Sequence, residues 1–260
     1  MAKDGAELPE FHFAPRLHAG IPGVAPPCAA CSIRDMSICG ALETDELAKL
    51  AAVATTSNIS GDQTIFQEGD PAEALFNVTG GTVKLYKLLP DGRRQITGFL
   101  FPGDFLGIAA ADIYAYTAEA VGPVKLCRFP RGRFERLLED IPHLERQLLS
   151  VASNELAQAQ DQMLLLGRKS AKEKIASFLL LLERRQVQRG GEAAPVAVPM
   201  SRADIADYLG LTTETVSRTI TQLKTVHTIR LLAGGKIELV DHDGLEELAE
   251  GMQMPSPAKS

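Results

Sequence analysis

Residues 201–224 read SRADIADYLGLTTETVSRTITQLK, two short amphipathic segments joined by a turn. Ser201 and Asp204 make a Ser-x-x-Asp start, in which each side chain can satisfy a backbone N–H left over at a helix N-terminus. Ile205 and Leu209 then fall four apart and share an inward face. Gly210 ends this helix, Leu211 is the apolar turn residue, and Thr212 can cap a second helix with Val216, Ile220 and Leu223 on its buried side. Two helices with so short a glycine-containing turn are a helix-turn-helix unit. IRLLAGGKIELV at 229–240 follows as a hairpin turning at AGGK, so the domain is winged. Glu214, Ser217 and Arg218 stand at i, i+3 and i+4, opposite the core residues and near the end of the helix that enters a major groove. Arginine can take guanine O6 and N7 in a bidentate pair and glutamate can accept from the cytosine N4 amino group, each contact discriminating by about 1–3 kcal/mol. The same spacing suits a solvated Glu214–Arg218 ion pair worth about 0.2–0.5 kcal/mol; the surrounding frame is what favours base reading.

Upstream, SAKEKIASFLLLLERRQVQRG at 170–190 is an amphipathic helix with a basic last turn and a Gly-Gly stop. Before it, HLERQLLSVASNELAQAQDQMLLLGRK at 143–169 has no proline, and no glycine until Gly167. Leu144, Leu148, Val151, Leu156, Ala159, Met163 and Leu166 trace a seam of roughly heptad spacing, which predicts pairing with a second copy of the chain. The alternative is that this stripe covers the rest of the same chain. Between 57 and 130 the texture changes to short β-branched and aromatic runs separated by SGD, EGD, TGG, PDG, PGD and VGP, the pattern of an antiparallel barrel or roll. TIFQEG, LFNVTGGTVKLYKLL, RQITGFLFPGD and PVKLCRFP are the expected strands, with PDG as a hairpin turn. ETDELAKLAAV at 43–53 is an expected helix with Thr44 as its cap, and residues 1–27 have no periodicity.

The 260 residues, 45% of them hydrophobic, suit two domains. A net charge of −6 does not by itself suggest nucleic acid, although a basic face on one domain can be hidden in such a sum. No signal-peptide pattern opens the chain and no apolar run approaches the ~18 residues of a membrane span, so a cytoplasmic protein with no membrane partner is expected. In that compartment thiols stay reduced, and cysteines point to metal or redox chemistry before disulfides. Three of the four fall in CAACSIRDMSIC at 28–39, spaced Cys28-x2-Cys31-x7-Cys39; the fourth, Cys127, lies in PVKLCRFP. If Val124 and Leu126 point into the barrel, Cys127 points outward, where an arm on the surface can reach it. Four thiolates accept zinc or an iron–sulfur cluster, and four unrelated reduced cysteines fit the spacing too.

In this order the roll, the long helix and the winged domain, with EGD at 68–70, GG before TVKLYK at 80–87, PGDFLG at 102–107 and LGLTTETVSRTITQLK at 209–224, resemble the Crp/Fnr transcription regulators over residues 42–242. The pattern Glu214-x-x-Ser217-Arg218 is similar to that of the Fnr branch, whose sites resemble TTGAT followed by its inverted repeat. The resemblance implies a non-enzymatic activator that binds double-stranded DNA as a homodimer, with RNA polymerase as partner. Oxygen-responsive Fnr proteins carry three N-terminal cysteines and one in the barrel that together hold a 4Fe–4S cluster, and Cys28, Cys31, Cys39 and Cys127 look like the matching set. The seven residues between Cys31 and Cys39 exceed the five of the best-known pattern. On this reading the cluster promotes dimerisation and DNA binding at low oxygen, and oxygen destroys it and releases the DNA. The Crp branch instead holds a cyclic nucleotide phosphate with Gly-Glu and Arg-Ser pairs. Here Asp104 replaces the glutamate and Tyr116-Thr117 the Arg-Ser, leaving a buried phosphate uncompensated, so no cyclic nucleotide is expected. A regulator of the same fold without a cluster, whether thiol-redox, zinc-bound or cofactor-independent, is the alternative. The expected architecture is α+β: a cysteine-bearing arm (1–41), an antiparallel β-roll like that of cyclic-nucleotide-binding domains (42–138), a dimerisation helix (139–167), a winged helix-turn-helix domain (168–245) and a disordered tail (246–260).

Overall fold

A computed structural model of the chain describes residues 21–25, 28–109 and 112–251. Residues 1–20 of the expected arm and 252–260 of the expected tail lie outside them. The chain divides into two compact units between Ala159 and Gln160.

In the first unit, α1 (Thr44–Val53) leads into β1 (Thr55–Ile59), β2 (Thr64–Phe66), β3 (Ala74–Gly80), β4 (Val83–Leu88), β5 (Arg94–Leu100), β6 (Phe105–Leu106), β7 (Thr117–Ala120) and β8 (Val124–Pro130). Two helices follow, α2 (Arg131–Asp140) and α3 (Pro142–Arg168), the second running on past the unit boundary. The strands form two four-stranded antiparallel sheets, β1-β8-β3-β6 and β2-β7-β4-β5. Between them the inward residues Phe66, Phe76, Val78, Val83, Leu100, Leu106, Val124 and Leu126 make one core. The PDG hairpin forms as expected: Leu89 N–H donates to Arg93 O at 2.8 Å and Gly92 N–H to Leu89 O at 2.9 Å.

A second core lies on the outer face of the β8 sheet. It joins Cys28, Ile38 and Cys39 of the arm, Leu47, Leu50 and Ala51 of α1, Leu75, Cys127 and Phe129 of the sheet, Phe134 of α2, and Ile141 and Leu144 at the start of α3. The rings of Phe105, Phe129 and Phe134 meet with centroids 5.6–6.3 Å apart. Each wholly buried leucine or phenylalanine of this set contributes roughly 1.5–3 kcal/mol by leaving water.

The described part of the arm beyond residue 27 forms three 3-10 turns, Cys28–Ala30, Arg34–Met36 and Ile38–Ala41, the first holding Cys28 and the third Cys39. Three expectations need correction. The cap of α1 is Glu43 rather than Thr44, with Glu43 N–H donating to Glu46 Oε2 at 2.9 Å. The ten residues of α2 and the short strands β1, β6 and β7 did not stand out, being polar, brief or both. Most consequentially, Leu144 is fully buried in its own chain and Leu148 and Val151 pack partly against the same core. A side chain buried as fully as Leu144 is not available to a second copy, so that position of the expected seam covers the roll.

The second unit contains α4 (Ala171–Gln188), β9 (Val196–Ala197), α5 (Arg202–Leu209), α6 (Thr213–Thr225), β10 (Ile229–Leu232), β11 (Lys236–Leu239) and α7 (His242–Ala249). Ile175, Phe178, Leu179 and Leu182 of α4 are buried, with α6, α7 and β9 packed against that helix. Gln186 ties β9 down: its Nε2 donates to Glu192 O and Pro195 O, and its Oε1 accepts from Ala197 N–H. The hairpin β10–β11 gains β9 as a third strand, in the order β10-β11-β9. The boundary expected at 245 falls inside α7, whose Leu245 and Ala249 are both buried. Among the described residues no helix is long and apolar enough to cross a membrane.

Candidate DNA-reading face and cysteine site

The helix-turn-helix forms at the residues expected. Ser201 Oγ accepts from Asp204 N–H at 3.0 Å while the Asp204 carboxylate accepts from Ser201 N–H at 3.2 Å. Gly210 sits at φ +60°, the left-handed conformation glycine adopts without a Cβ penalty, so α5 stops there and the chain turns. Thr212 Oγ1 then accepts from Thr215 N–H at 3.2 Å and starts α6. Val216, Thr219, Ile220 and Leu223 face inward, which leaves Glu214, Ser217 and Arg218 exposed side by side. Among the described residues no ion pair joins Glu214 to Arg218, and both heads are available to a groove. Arg218→Ala is expected to relax discrimination at one base pair of each half-site by about 10- to 100-fold, the ~1–3 kcal/mol of a bidentate contact, while binding elsewhere in the site keeps its preferences; competition with operators substituted one base at a time measures it.

The four cysteines, separated by almost ninety residues of sequence, come together on the outer face of the β8 sheet. Val124 and Leu126 point into the roll and Cys127 and Phe129 away from it, the alternation expected of this strand. In register, Cys127 lies between Thr56 of β1 and Asn77 of β3. The arm reaches it because the turn after β5 makes room: Gly103 has φ +99°, and a Cβ there would stand 3.0 Å from the Met36 carbonyl oxygen. Cys28, Cys39 and Cys127 are buried, Cys31 half-buried, and all four are free thiols. Together they line a cavity of about 430 Å³ that also touches Arg34, Leu47, Asn58, Thr79 and Lys125.

Burial and a mutual hydrogen bond shift the acidity of these thiols in opposite directions. Burial pushes the Cys39 thiol up to about 12 and raises Cys31, with the backbone N–H of Ile33 opposing part of the rise at Cys31. Cys127 is raised by its hydrogen bond with Cys28 and by burial, and the same bond lowers Cys28. Cys127 thus donates its S–H to a sulfur that leans toward thiolate. A bound cation supplies the missing positive charge and displaces such protons outright.

Among the described residues one other set of three potential ligands lies close enough for a metal, His242, Asp243 and Glu246, with donor atoms within 4.8 Å of one another. It is largely exposed, and His242 Nε2 is already bonded to Glu183 Oε2 at 2.8 Å.

Residues 57–140 match the cyclic nucleotide-binding domain family and residues 173–248 the Crp-like helix-turn-helix domain family. A sensory roll of that type joined to an exposed recognition helix defines the class: a DNA-binding regulator of transcription, and not an enzyme. The chain is 45% identical over 222 residues to the nitrogen fixation regulation protein FixK of Bradyrhizobium diazoefficiens, covering 85% of this chain and 93% of that one. It is 33% identical to the fumarate and nitrate reduction regulatory protein of Escherichia coli, covering 93% and 97%. The solved structure of FixK2 from Bradyrhizobium japonicum matches it with a TM-score of 0.71 and 40% identity, over 75% of this chain and 97% of that one. The chain belongs to the Crp/Fnr family of transcription regulators.

Proposed function

We propose that this regulator responds to oxygen through a 4Fe–4S cluster held by Cys28, Cys31, Cys39 and Cys127, and that in its cluster-bound form it is a homodimer on a TTGAT-like inverted repeat, acting with RNA polymerase in the cytoplasm. The observation that carries this reading is the convergence of three arm thiols and one strand thiol on a single cavity, within the core that also holds the first turn of α3. The donor set fits the group. Four cysteine thiols are the donor type that a 4Fe–4S cluster takes, and they line a cavity of about 430 Å³ with room for a polyatomic cofactor.

When bound, a 4Fe–4S cluster supplies a cross-link among four thiolates that oxygen can break. The chain's own residues do the rest. Cys28, Cys31 and Cys39 fasten the arm to Cys127, and Ile38, packed with Leu47, Leu50, Phe134, Ile141 and Leu144, holds the start of α3. On α3, Leu149, Leu156 and Met163 are 68%, 62% and 71% exposed and seven residues apart, one side of a heptad seam to which Ala159 and Leu166 are adjacent. Glu214, Ser217 and Arg218 of two protomers then read half-sites about one helical turn apart.

A cyclic nucleotide is not part of this proposal. Gly107 N–H, in the loop where the phosphate would be held, donates to Tyr116 Oη at 3.3 Å, and burial pushes that hydroxyl up to about 12. Phe66 stacks on Tyr114 with centroids 3.7 Å apart inside the roll.

The thiol contact between Cys28 and Cys127 favours a second reading, a regulator switched by a disulfide between that pair. Purification without oxygen separates the two. About four irons and four sulfides per chain, a visible absorption that air bleaches, and operator binding lost on bleaching are expected. Iron-free protein that binds its operator equally well with and without oxygen would sink both readings; iron-free protein whose binding follows a thiol reductant selects the second.

A further inference from the structure

Arg34 lies inside the long gap between Cys31 and Cys39, and its backbone is pinned there. Ser37 N–H and Ser37 Oγ donate to its carbonyl at 3.1 and 2.9 Å, closing a turn at this residue. That side chain is only 18% exposed, its Nη1 is shielded from solvent, and it lines the cysteine cavity. Asp35 Oδ1 stands 3.4 Å from Arg34 Nε, a long contact whose carboxylate is 46% exposed and therefore well screened. The cavity contains one more cation, Lys125, two residues from Cys127 on the same face of β8, but it is exposed.

Four thiolates around a core of charge 2+ leave a net 2− in a mostly buried place, and such charge needs a nearby partner. We propose that Arg34 is the counter-cation of the cysteine site, a positioning residue that sets how readily the bound cluster gains or loses an electron. This rests on the cluster reading above. Arg34 stands between Cys31 and Cys39 in sequence and lines the same cavity as all four thiols. Burial separates Arg34 from Lys125: a guanidinium out of water acts through a low dielectric, whereas a solvated ammonium is screened over a Debye length of about 8–10 Å.

The test uses the full chain purified without oxygen as wild type, Arg34→Gln, Arg34→Lys and Lys125→Gln. A reduced viologen donates one electron, the core passes from 2+ to 1+, and the viologen becomes its dication, with no proton or ligand exchanged. Loss of the positive charge in Arg34→Gln is expected to shift this equilibrium about tenfold toward the oxidised core, about 59 mV to lower potential. Arg34→Lys should recover at least half of that shift, and Lys125→Gln should move it less than about twofold. An unchanged potential in Arg34→Gln, or an equal shift in Lys125→Gln, overturns the assignment. If Arg34→Gln folds but holds no iron while Arg34→Lys holds it, the charge is required and the assignment stands; if neither folded variant holds iron, charge is not what the position supplies. A wild type without iron refutes the cluster instead, and so is told apart from a failure of Arg34.

Discussion

In a Cys127→Ala variant purified without oxygen, iron and sulfide are expected to fall to background and affinity for the inverted repeat to drop by about a thousandfold, to the level of non-specific DNA. Cys127 is the one thiol of the set that belongs to the sheet, so its loss leaves three ligands on an arm with nothing to fasten to. The folding cost is small by comparison. Removing one sulfur beside Leu75, Phe129 and Phe134 leaves their mutual contacts in place, and truncations that small cost about 1 kcal/mol. Circular dichroism and thermal unfolding check that the roll survives. The same variant also tests the competing disulfide reading, because that reading needs Cys28 and Cys127 alone. Cys39→Ala therefore discriminates: it should abolish iron binding as completely as Cys127→Ala, yet leave a Cys28–Cys127 switch working. Retained operator binding in both variants, equal in air and without it, would remove the cysteines from the mechanism.

The recognition unit was legible in sequence because everything that makes it is local. Ser201 with Asp204, Gly210 and Thr212 each act within four residues, and the structure places each in that role. The outward aim of Cys127 was legible too, since strand alternation carries it once Val124 and Leu126 are assigned to the core. Long-range packing decided the remainder. β1, TTSNI, has little apolar signal and exists because β8 supplies its ladder from Thr55↔Arg128 to Ile59↔Val124. The arm's turns depend on a surface met far along the chain, where Gly103 leaves space for Met36. Nothing in the sequence singles out Arg34, because only the folded arm brings its side chain, 18% exposed, to the cysteine cavity. On α3 the period did not identify a face, because Leu148 and Leu149 are adjacent and both apolar. Burial assigns the first to the roll and exposes the second.

That division of α3 leads to the second large effect. Leu156→Asp is expected to convert the regulator to a monomer and weaken binding to the full inverted repeat by at least about a hundredfold, because two half-sites held by one dimer gain that much from effective concentration. Leu156 is 62% exposed midway between Leu149 and Met163, so a carboxylate there costs the free chain little and is buried against its own copy only in the dimer. Leu144→Ala provides the contrast. It opens a cavity beside Phe134, Ile141 and Leu50 and should lower folding stability by about 2–5 kcal/mol, with little effect on the association of the chains that remain folded. Sedimentation separates the two outcomes, and a Leu156→Asp protein that stays dimeric would move the interface to another face. The residues that link the site to this seam lie on opposite sides of the same two turns: Leu144 and Leu148 touch the core holding Cys28, Cys39 and Cys127, while Leu149 points away from it. Fastening the arm through its thiols therefore acts on the helix one turn before the exposed seam begins. On that account the iron content of Leu156→Asp should equal that of the wild type although its DNA binding is lost, whereas Cys127→Ala should lose both.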